Sequence, residues 1–390
     1  MRYLSSNIIF PISSAPIKNG VVIIDESGVI QEILTSNHAI DPAQIEFYEG
    51  FLCPGFVNTH CHLELSHLKG KIQEHTHIDG FVKELQSKRI TNELEIQEAI
   101  KMADAEMWKN GIIAVGDISN GNSSFTTKAN SNIYYHTFLE CFGFNPSQAK
   151  EVYSRAKGLE VGLMNLNLPK SIVAHSPYSV SNELFDLIRE NHQSDQPICI
   201  HNQENKDENT FYQSGEGRLA EMLQSFGISM DHWEANFESS LKGYLNKLPQ
   251  KAKTLLVHNT FTSENDIDFT EKSNQNIFWC FCPNANQYIE NTLPNIPLFV
   301  KKAAKCTIGT DSLASNYALS VLDELKVVSK TFPDISTATL LEWATINGAQ
   351  FLGIDDQFGS FEVGKKPGIN WIKHSENGFI SEKSDVEKLK

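Results

Sequence analysis

Two histidines, His60 and His62, stand at the end of the apolar segment PGFVNTHCHLEL (54–65). Two residues apart on an extended backbone, their imidazoles point to one face, an arrangement suited to two ligands of a single metal ion. Four more polar residues, His175, His201, His258 and Asp311, each follow a short apolar run elsewhere in the chain. Glu204 lies three residues after His201, one helical turn on, where a carboxylate can reach a water held by the metal without ligating it and so shuttle protons. Two other patterns lead elsewhere. Cys280-Phe281-Cys282 puts two thiols on one strand face, but with no C-x-x-C pair beside them they read as buried free thiols. His62-Leu63-Glu64 spells the H-x-E of the zinc nucleobase deaminases, but the P-C-x-x-C segment that their site also needs is missing.

Stepping outward, short apolar strands must carry these groups. Gly55–Asn58 reads as a strand delivering His60 and His62 at its far end. Further strands are predicted at Ile112–Ile118, Ile133–Glu140, Ser171–His175, Pro197–His201, Thr254–His258, Ile277–Cys282 and Lys305–Thr310. Helical periodicity falls between them, at Ile78–Arg89, Glu93–Lys109, Asn182–Asn191, Gly217–Phe226 and Leu319–Ser329. Eight strand-helix units in one run predict an α/β fold, a (β/α)8 barrel over residues 54–359, whose site is built from strand C-termini. Residues 1–53 and 360–390 carry only β patterns, each lacking a partner for its apolar face, and are expected to combine into one small β-sandwich. The segment 202–250 is too long for an ordinary loop and helix and is expected to form a lid or pocket wall.

The 390 residues and 40% hydrophobic content suffice for a large core. A formal net charge of −15, with only five arginines, argues against nucleic-acid and anionic-membrane partners and leaves a small-molecule substrate. Seven scattered cysteines fit a reducing compartment. With no signal-peptide core and no run of about 18 apolar residues, a cytoplasmic location is expected. A homodimer is the ordinary prior.

The motifs together resemble the metal-dependent amidohydrolase superfamily, in its cytosine/guanine deaminase and chlorohydrolase-like branch. The matching segments are PGFVNTHCHLEL at 54–65, AHSPYSVS at 174–181, HNQE at 201–204, VHNTFTSENDI at 257–267 and IGTDSLASN at 308–316. ATINGAQFLG at 344–353 and GSFEVGKKPG at 359–368 match the segments that close the barrel and return to the small β unit. The resemblance implies one divalent ion held by His60, His62, His201 and Asp311, zinc by its donor set, with ferrous iron the alternative. Dinuclear members carry a modified lysine at the end of the fourth strand; His175 stands there, so the site reads as mononuclear. It also implies Asp311 as proton acceptor, Glu204 as proton donor to the substrate ring and leaving amine, and His258 polarising the tetrahedral centre. His175, Glu64, Ser312 and Asn316 are expected to contact substrate.

Within that branch similar ligand sets serve aromatic amine deamination, s-triazine dechlorination and cyclic amide hydrolysis, so the ligands do not choose the reaction. Glu204 favours deamination, because an amine leaving group needs protonation. THCHLELS at 59–66, FLECFGF at 138–144 and GTDSLASNYALSVLDEL at 309–325 most resemble the aminodeoxyfutalosine deaminase group, which acts on an adenine nucleoside in menaquinone biosynthesis. Deamination of S-adenosylhomocysteine or methylthioadenosine is the alternative, weakened because no arginine lies between Asn130 and Gln148. A catalytically dead scaffold would be expected to have lost ligands or the shuttle carboxylate, and all are present. The polar pair Asn202-Gln203 is expected to narrow or re-aim the pocket.

Overall fold

The computed structural model describes residues 1–390 apart from 38–39, 274 and 376–377. The chain opens with five strands, β1 (Arg2–Ile9), β2 (Ile17–Lys18), β3 (Val21–Ile24), β4 (Ile30–Leu34) and β5 (Ile45–Pro54). Eight parallel strands follow: β6 (Phe56–Cys61), β7 (Ile112–Ser119), β8 (Tyr134–Cys141), β9 (Lys170–Ala174), β10 (Ile198–Asn202), β11 (Lys253–His258), β12 (Asn276–Phe281) and β13 (Cys306–Ile308). β14 (Ile369–Lys373) and β15 (Asp385–Lys388) close the chain.

β6–β9 and β10–β13 form two four-stranded parallel sheets in sequence order. Every residue of β6 and β7 is buried, as expected where helices cover one face and a packed interior the other. The sheets meet at both edges. The amide of His201 donates to the carbonyl of His175 at 3.0 Å, and the amides of Thr310 and Asp311 both donate to the carbonyl of His60, at 3.0 and 3.1 Å. Asn58 reinforces the second seam, donating to Thr310 Oγ1 at 2.7 Å and accepting the Thr310 amide at 3.1 Å. This completes an eight-strand barrel, with the helices α1 (His77–Lys88), α2 (Glu93–Lys109), α3 (Phe125–Asn130), α4 (Ala149–Asn165) and α5 (Asn182–Glu190) among those in its connections.

The chain ends combine, hydrogen-bonded as one continuous seven-stranded sheet of order β15-β14-β5-β1-β3-β4, with β2 on β1. The ladder is continuous because β1 pairs with β3 on one side and with β5 on the other, while β14 pairs with β5. It has its own apolar cluster, including Leu4, Val22, Ile24, Leu52, Phe361 and Ile369. β5 runs into β6 through Pro54-Gly55, and Asn370 of β14 donates to the Gly111 carbonyl at 3.0 Å, so the sheet anchors the base of the first barrel strands.

Strand boundaries fall within a few residues of the expected ones, with one consequence for the site. His60 and His201 lie inside β6 and β10, not beyond their ends. The long segment after β10 forms α6 (Lys206–Ser214), α7 (Arg218–Ser225) and a further short helix, Ser240–Tyr244. Among the described residues no helix is long and apolar enough to cross a membrane.

His136, on β8, is buried with Nε2 2.8 Å from Ser171 Oγ and its ring 4.8 Å from that of Phe138. Burial first, then the charges of Lys170 and Lys128, push its pKa down to about 3. In the unfolded chain it titrates near 6.5, so below that pH the unfolded state binds more protons and stability falls as pH drops towards 3. Thermal unfolding followed from pH 7 to 4 is expected to show the wild type losing up to about 1.4 kcal/mol per pH unit more than His136→Gln. Parallel curves would contradict this.

Candidate active site

The C-terminal mouth of the barrel gathers all five histidines singled out in the sequence. His60 Nε2 and His62 Nε2 are 3.2 Å apart, and Asp311 Oδ1 lies 3.6 Å and 3.4 Å from them. The His201 ring centroid is 5.0 Å from that of His60 and 5.3 Å from that of His258. Two sets of three, His60-His62-Asp311 and His60-His201-His258, each bring one ligand atom per residue within 4.8 Å of the others.

The neighbours of these groups hold them for ligation. Ser315 Oγ donates to Asp311 Oδ2, leaving Oδ1 towards the histidines. His201 Nδ1 lies 2.8 Å from the His175 carbonyl, which it can only meet as a donor, so Nε2 is left free for a metal. Burial above all keeps His60, His201 and His258 neutral: it lowers the first pKa, pushes the second well down and brings the third to about 3. Neutral imidazoles are the form that ligates. Burial alone would raise the pKa of Asp311, but a hydrogen bond from His60 and the imidazoles of His62 and His258 around it hold it well below the usual carboxylate range. His60 Nδ1 and both ring nitrogens of His258 are buried without a hydrogen-bond partner among the described residues. Such an arrangement is costly unless something else engages the cluster. The donor set therefore fits a divalent metal ion.

Backbone geometry supports the arrangement. Both His258 (φ 75°) and Asp311 (φ 55°) sit in the left-handed region, which costs of order 1–3 kcal/mol for such residues and persists only where surrounding bonds enforce it. At Asp311 the enforcing bond runs from its amide to His60. Beside His258, the Asn259 amide donates to the Asn202 carbonyl at 3.0 Å and the Asn259 side chain to the Cys280 carbonyl at 2.9 Å.

Glu204 is buried beside this cluster, Oε1 3.5 Å from His258 Nε2. Burial first, then the negative charge of Asp311, raise its pKa well above the ordinary value, favouring the protonated form. Next to it His175 Nδ1 lies 2.8 Å from Glu140 Oε1. Burial opposes charge on both partners; their attraction overcomes it, raising the His175 pKa and holding Glu140 low. A third potential ligand group, Glu140-His175-His201, is thus already engaged, by this ion pair and by the bond from His201 to the His175 carbonyl.

These groups open into a cavity of about 490 Å³ lined by His62, Glu140, His175, His201, Glu204, His258, Asp311 and Ser312. Its far walls are apolar, from Ile78, Phe81, Val82 and Leu85 on α1, Val152 and Leu159 on α4, and Phe142 and Phe144 between β8 and α4. Met222, Leu223, Phe226 and Ile228 complete it, so the long segment after β10 is a pocket wall. Arg89 and Arg155 also reach this part.

Two expected substrate contacts do not line the cavity. Glu64 accepts the amides of Asn120 and Gly121 at 3.1 and 3.2 Å and lies 3.6 Å from Arg89. Asn316 donates to the Thr310 carbonyl and to Glu324 and accepts the Tyr317 amide. Asn202 and Gln203 do not re-aim the pocket either: they bond Tyr244, Asn259, Asn209 and Asp266, away from it. Conversely Glu140, an acid in the apolar run FLECFGF, was not singled out in the sequence, although its interruption of a buried strand was the available signal.

A Cβ on Gly309 would meet His60 Cβ and Cys280 Sγ at 2.8 Å and Cys282 Sγ at 3.0 Å. Gly309→Ala is therefore expected to lower stability by about 1–3 kcal/mol through overpacking and to weaken metal uptake by displacing His60. Calorimetry and metal analysis test this, and an unchanged pair of values would contradict it.

Residues 51–389 match the Amidohydrolase family. The chain is 26% identical over 353 residues to an adenosine deaminase of Helicobacter pylori, an alignment spanning 88% of this chain and 84% of that one. It is 25% identical over 336 residues to an aminodeoxyfutalosine deaminase of Nitratiruptor sp., covering 82% and 78%. The solved structure of Helicobacter pylori aminofutalosine deaminase in complex with methylthio-coformycin superposes with a TM-score of 0.78 at 22% identity, over 96% of this chain and 93% of that one, and so shares its fold. With its barrel, its histidine-aspartate cluster and a family match across most of its length, the chain is a member of the amidohydrolase family, a hydrolase of carbon–nitrogen bonds.

Proposed function

We propose that this protein is a metal-dependent deaminase of an aminated purine nucleoside, and that its substrate is 6-amino-6-deoxyfutalosine. The observation that carries the reaction is Glu204: a buried carboxylate favouring its proton, beside His258 and the ligand cluster, at the polar end of an apolar-walled cavity. Hydrolysing a C–N bond of an aromatic amine requires a proton on the ring and then on the departing nitrogen, and the carboxylates nearest the cluster, Asp311 and Glu140, are instead held low by the histidines beside them.

His60, His62, His201 and Asp311 would hold one divalent ion, most simply zinc for three nitrogens and a carboxylate. When bound, such an ion lowers the pKa of water to about 7 and supplies positive charge at the reacting carbon. The chain's own groups do the rest. Asp311 Oδ1, oriented by Ser315, accepts the proton released as water adds to C6 of the purine. Glu204 delivers its proton to the ring nitrogen. It then passes to the amine, as ammonia leaves, the proton given up by the new C6 hydroxyl when the carbonyl forms, and the proton taken by Asp311 restores Glu204. His258, its Nε2 within 3.5 Å of Glu204, donates towards the oxygen that develops negative charge. His175, held by Glu140, is placed to hydrogen-bond the nucleoside, with Ser312 beside Asp311.

The choice of nucleoside follows the cavity. Its 490 Å³ lies in the range of pockets that enclose drug-sized ligands, roughly 300–1,000 Å³. Beyond the polar end the lining is mainly aromatic and aliphatic, with Arg89 and Arg155 against a single acid, Glu151, which suits a nucleoside with an apolar, anionic extension better than unsubstituted adenosine. Among the relatives, one is an aminodeoxyfutalosine deaminase.

Ammonia release from aminodeoxyfutalosine, adenosine, 5′-deoxyadenosine, methylthioadenosine and S-adenosylhomocysteine tests both levels. Aminodeoxyfutalosine is expected to give the highest kcat/KM, and Glu204→Gln to lower kcat by about 10²–10⁴-fold with little change in KM. Turnover led by another nucleoside would overturn the substrate; no ammonia from any of them at full metal occupancy would overturn the reaction.

A further inference from the structure

Behind the ligand cluster, outside the cavity lining, lies a second charged group. Asp117 on β7 and Lys128 on α3 have fully buried side chains, with Lys128 Nζ 2.5 Å from Asp117 Oδ2. The ammonium donates to Ser119 Oγ at 2.9 Å and to Thr137 Oγ1 at 3.2 Å. The other oxygen of Asp117 accepts the backbone amide of Leu63 at 2.8 Å.

A buried ion pair is poor value as a stabiliser, since apolar residues of similar volume are often equally stable or better. An apolar pair could not hold the Leu63 amide. That amide follows His62 directly, where β6 gives way to the turn Leu63–Leu68 and the register of β6 against β7 shifts between Asn58 and Cys61. The backbone at His62 (φ −120°, ψ 77°) is thus leaving the strand as it presents its imidazole, one residue past the last paired position, Cys61, which lies against Asp117 on one side and Asp311 on the other. Asp117 adds a side-chain bond from the neighbouring strand at the residue just beyond His62, and Lys128, braced by Ser119 and Thr137, fixes Asp117.

We propose that Asp117 and Lys128 are positioning residues for the metal centre. They hold the His62 imidazole towards His60 and Asp311 before the ion arrives, so that it meets a preformed set of ligands. The inference rests on the metal-centre reading given under Proposed function.

The test compares zinc affinity, by competition with a chromophoric chelator, and the unfolding temperature of the metal-free protein in three chains: wild type, Asp117→Leu/Lys128→Met and Asp117→Asn/Lys128→Met. The first double variant is expected to keep the metal-free unfolding temperature within a few degrees and to weaken zinc binding by about 10–100-fold, the range for lost support behind a ligand. The second retains an oxygen acceptor for the Leu63 amide and is expected to bind within a few-fold of wild type. Wild-type affinity in the leucine variant, or a loss in a folded asparagine variant as large as that expected of the leucine one, would overturn the proposal. Should the leucine variant not fold, the asparagine variant decides alone by the same criterion. Wild-type protein that takes up no zinc would instead overturn the metal-centre reading, and this inference with it.

Discussion

The carbonyl oxygen of His60 accepts hydrogen bonds from the amides of both Thr310 and Asp311, and the site depends on that junction. It closes the barrel between its first and last strands. In doing so it sets the only carboxylate of the proposed ligand set against the H-x-H pair, although the two are some 250 residues apart in sequence. Asn58 doubles the junction, and Gly309 gives the room it needs, since the space beside its Cα is filled by His60 and two cysteine sulfurs. The left-handed backbone at Asp311 follows from the same closure: the chain must turn there to direct its carboxylate inward while its amide faces β6.

Around this junction the physical problem is desolvation. Histidines, aspartate and glutamates crowd a water-poor mouth where each unpaired charge would be costly. Three histidines respond by staying neutral, His60 and His201 of the proposed ligand set and His258 beside them. Asp311 stays ionised because histidines surround it, while Glu204, buried beside the neutral His258 and facing the negative charge of Asp311, favours its proton. Glu140 and His175 neutralise each other. One family of side chains in a single pocket is thereby separated into ligands, a proton acceptor, a proton donor and a polar contact, by neighbourhood alone.

Much of this was legible in the sequence because it rests on local pattern. Apolar runs that end in a histidine or an aspartate located the strands and the mouth together, and the helix predicted at Glu93–Lys109 is observed with those bounds. What was not legible depends on side-chain direction across distant elements. Glu64 and Asn316 lie close in sequence to mouth residues, yet their capacity goes to backbone groups and neighbouring side chains, and neither lines the cavity. Asn202 and Gln203 likewise look outward, into a network with Tyr244 and Asp266. Asp117 and Glu140 gave a signal, each an acid within a buried, mostly apolar strand. Their partners Lys128 and His175 come from other elements, so only the fold joins them. The terminal strands read correctly as β and the two chain ends were expected to combine, but a pattern of short strands does not reveal that β14 would pair with β5, the strand that leads into the barrel.

The central claim is that the groups joined at the His60 carbonyl hold one catalytic ion, and an anomalous difference map from zinc-loaded crystals tests it most directly. The account predicts a single strong peak at about 2.0–2.2 Å from nitrogens of His60, His62 and His201 and from an oxygen of Asp311. A peak among Glu140, His175 and His201 instead, or no peak at the mouth in crystals of active protein, would contradict it.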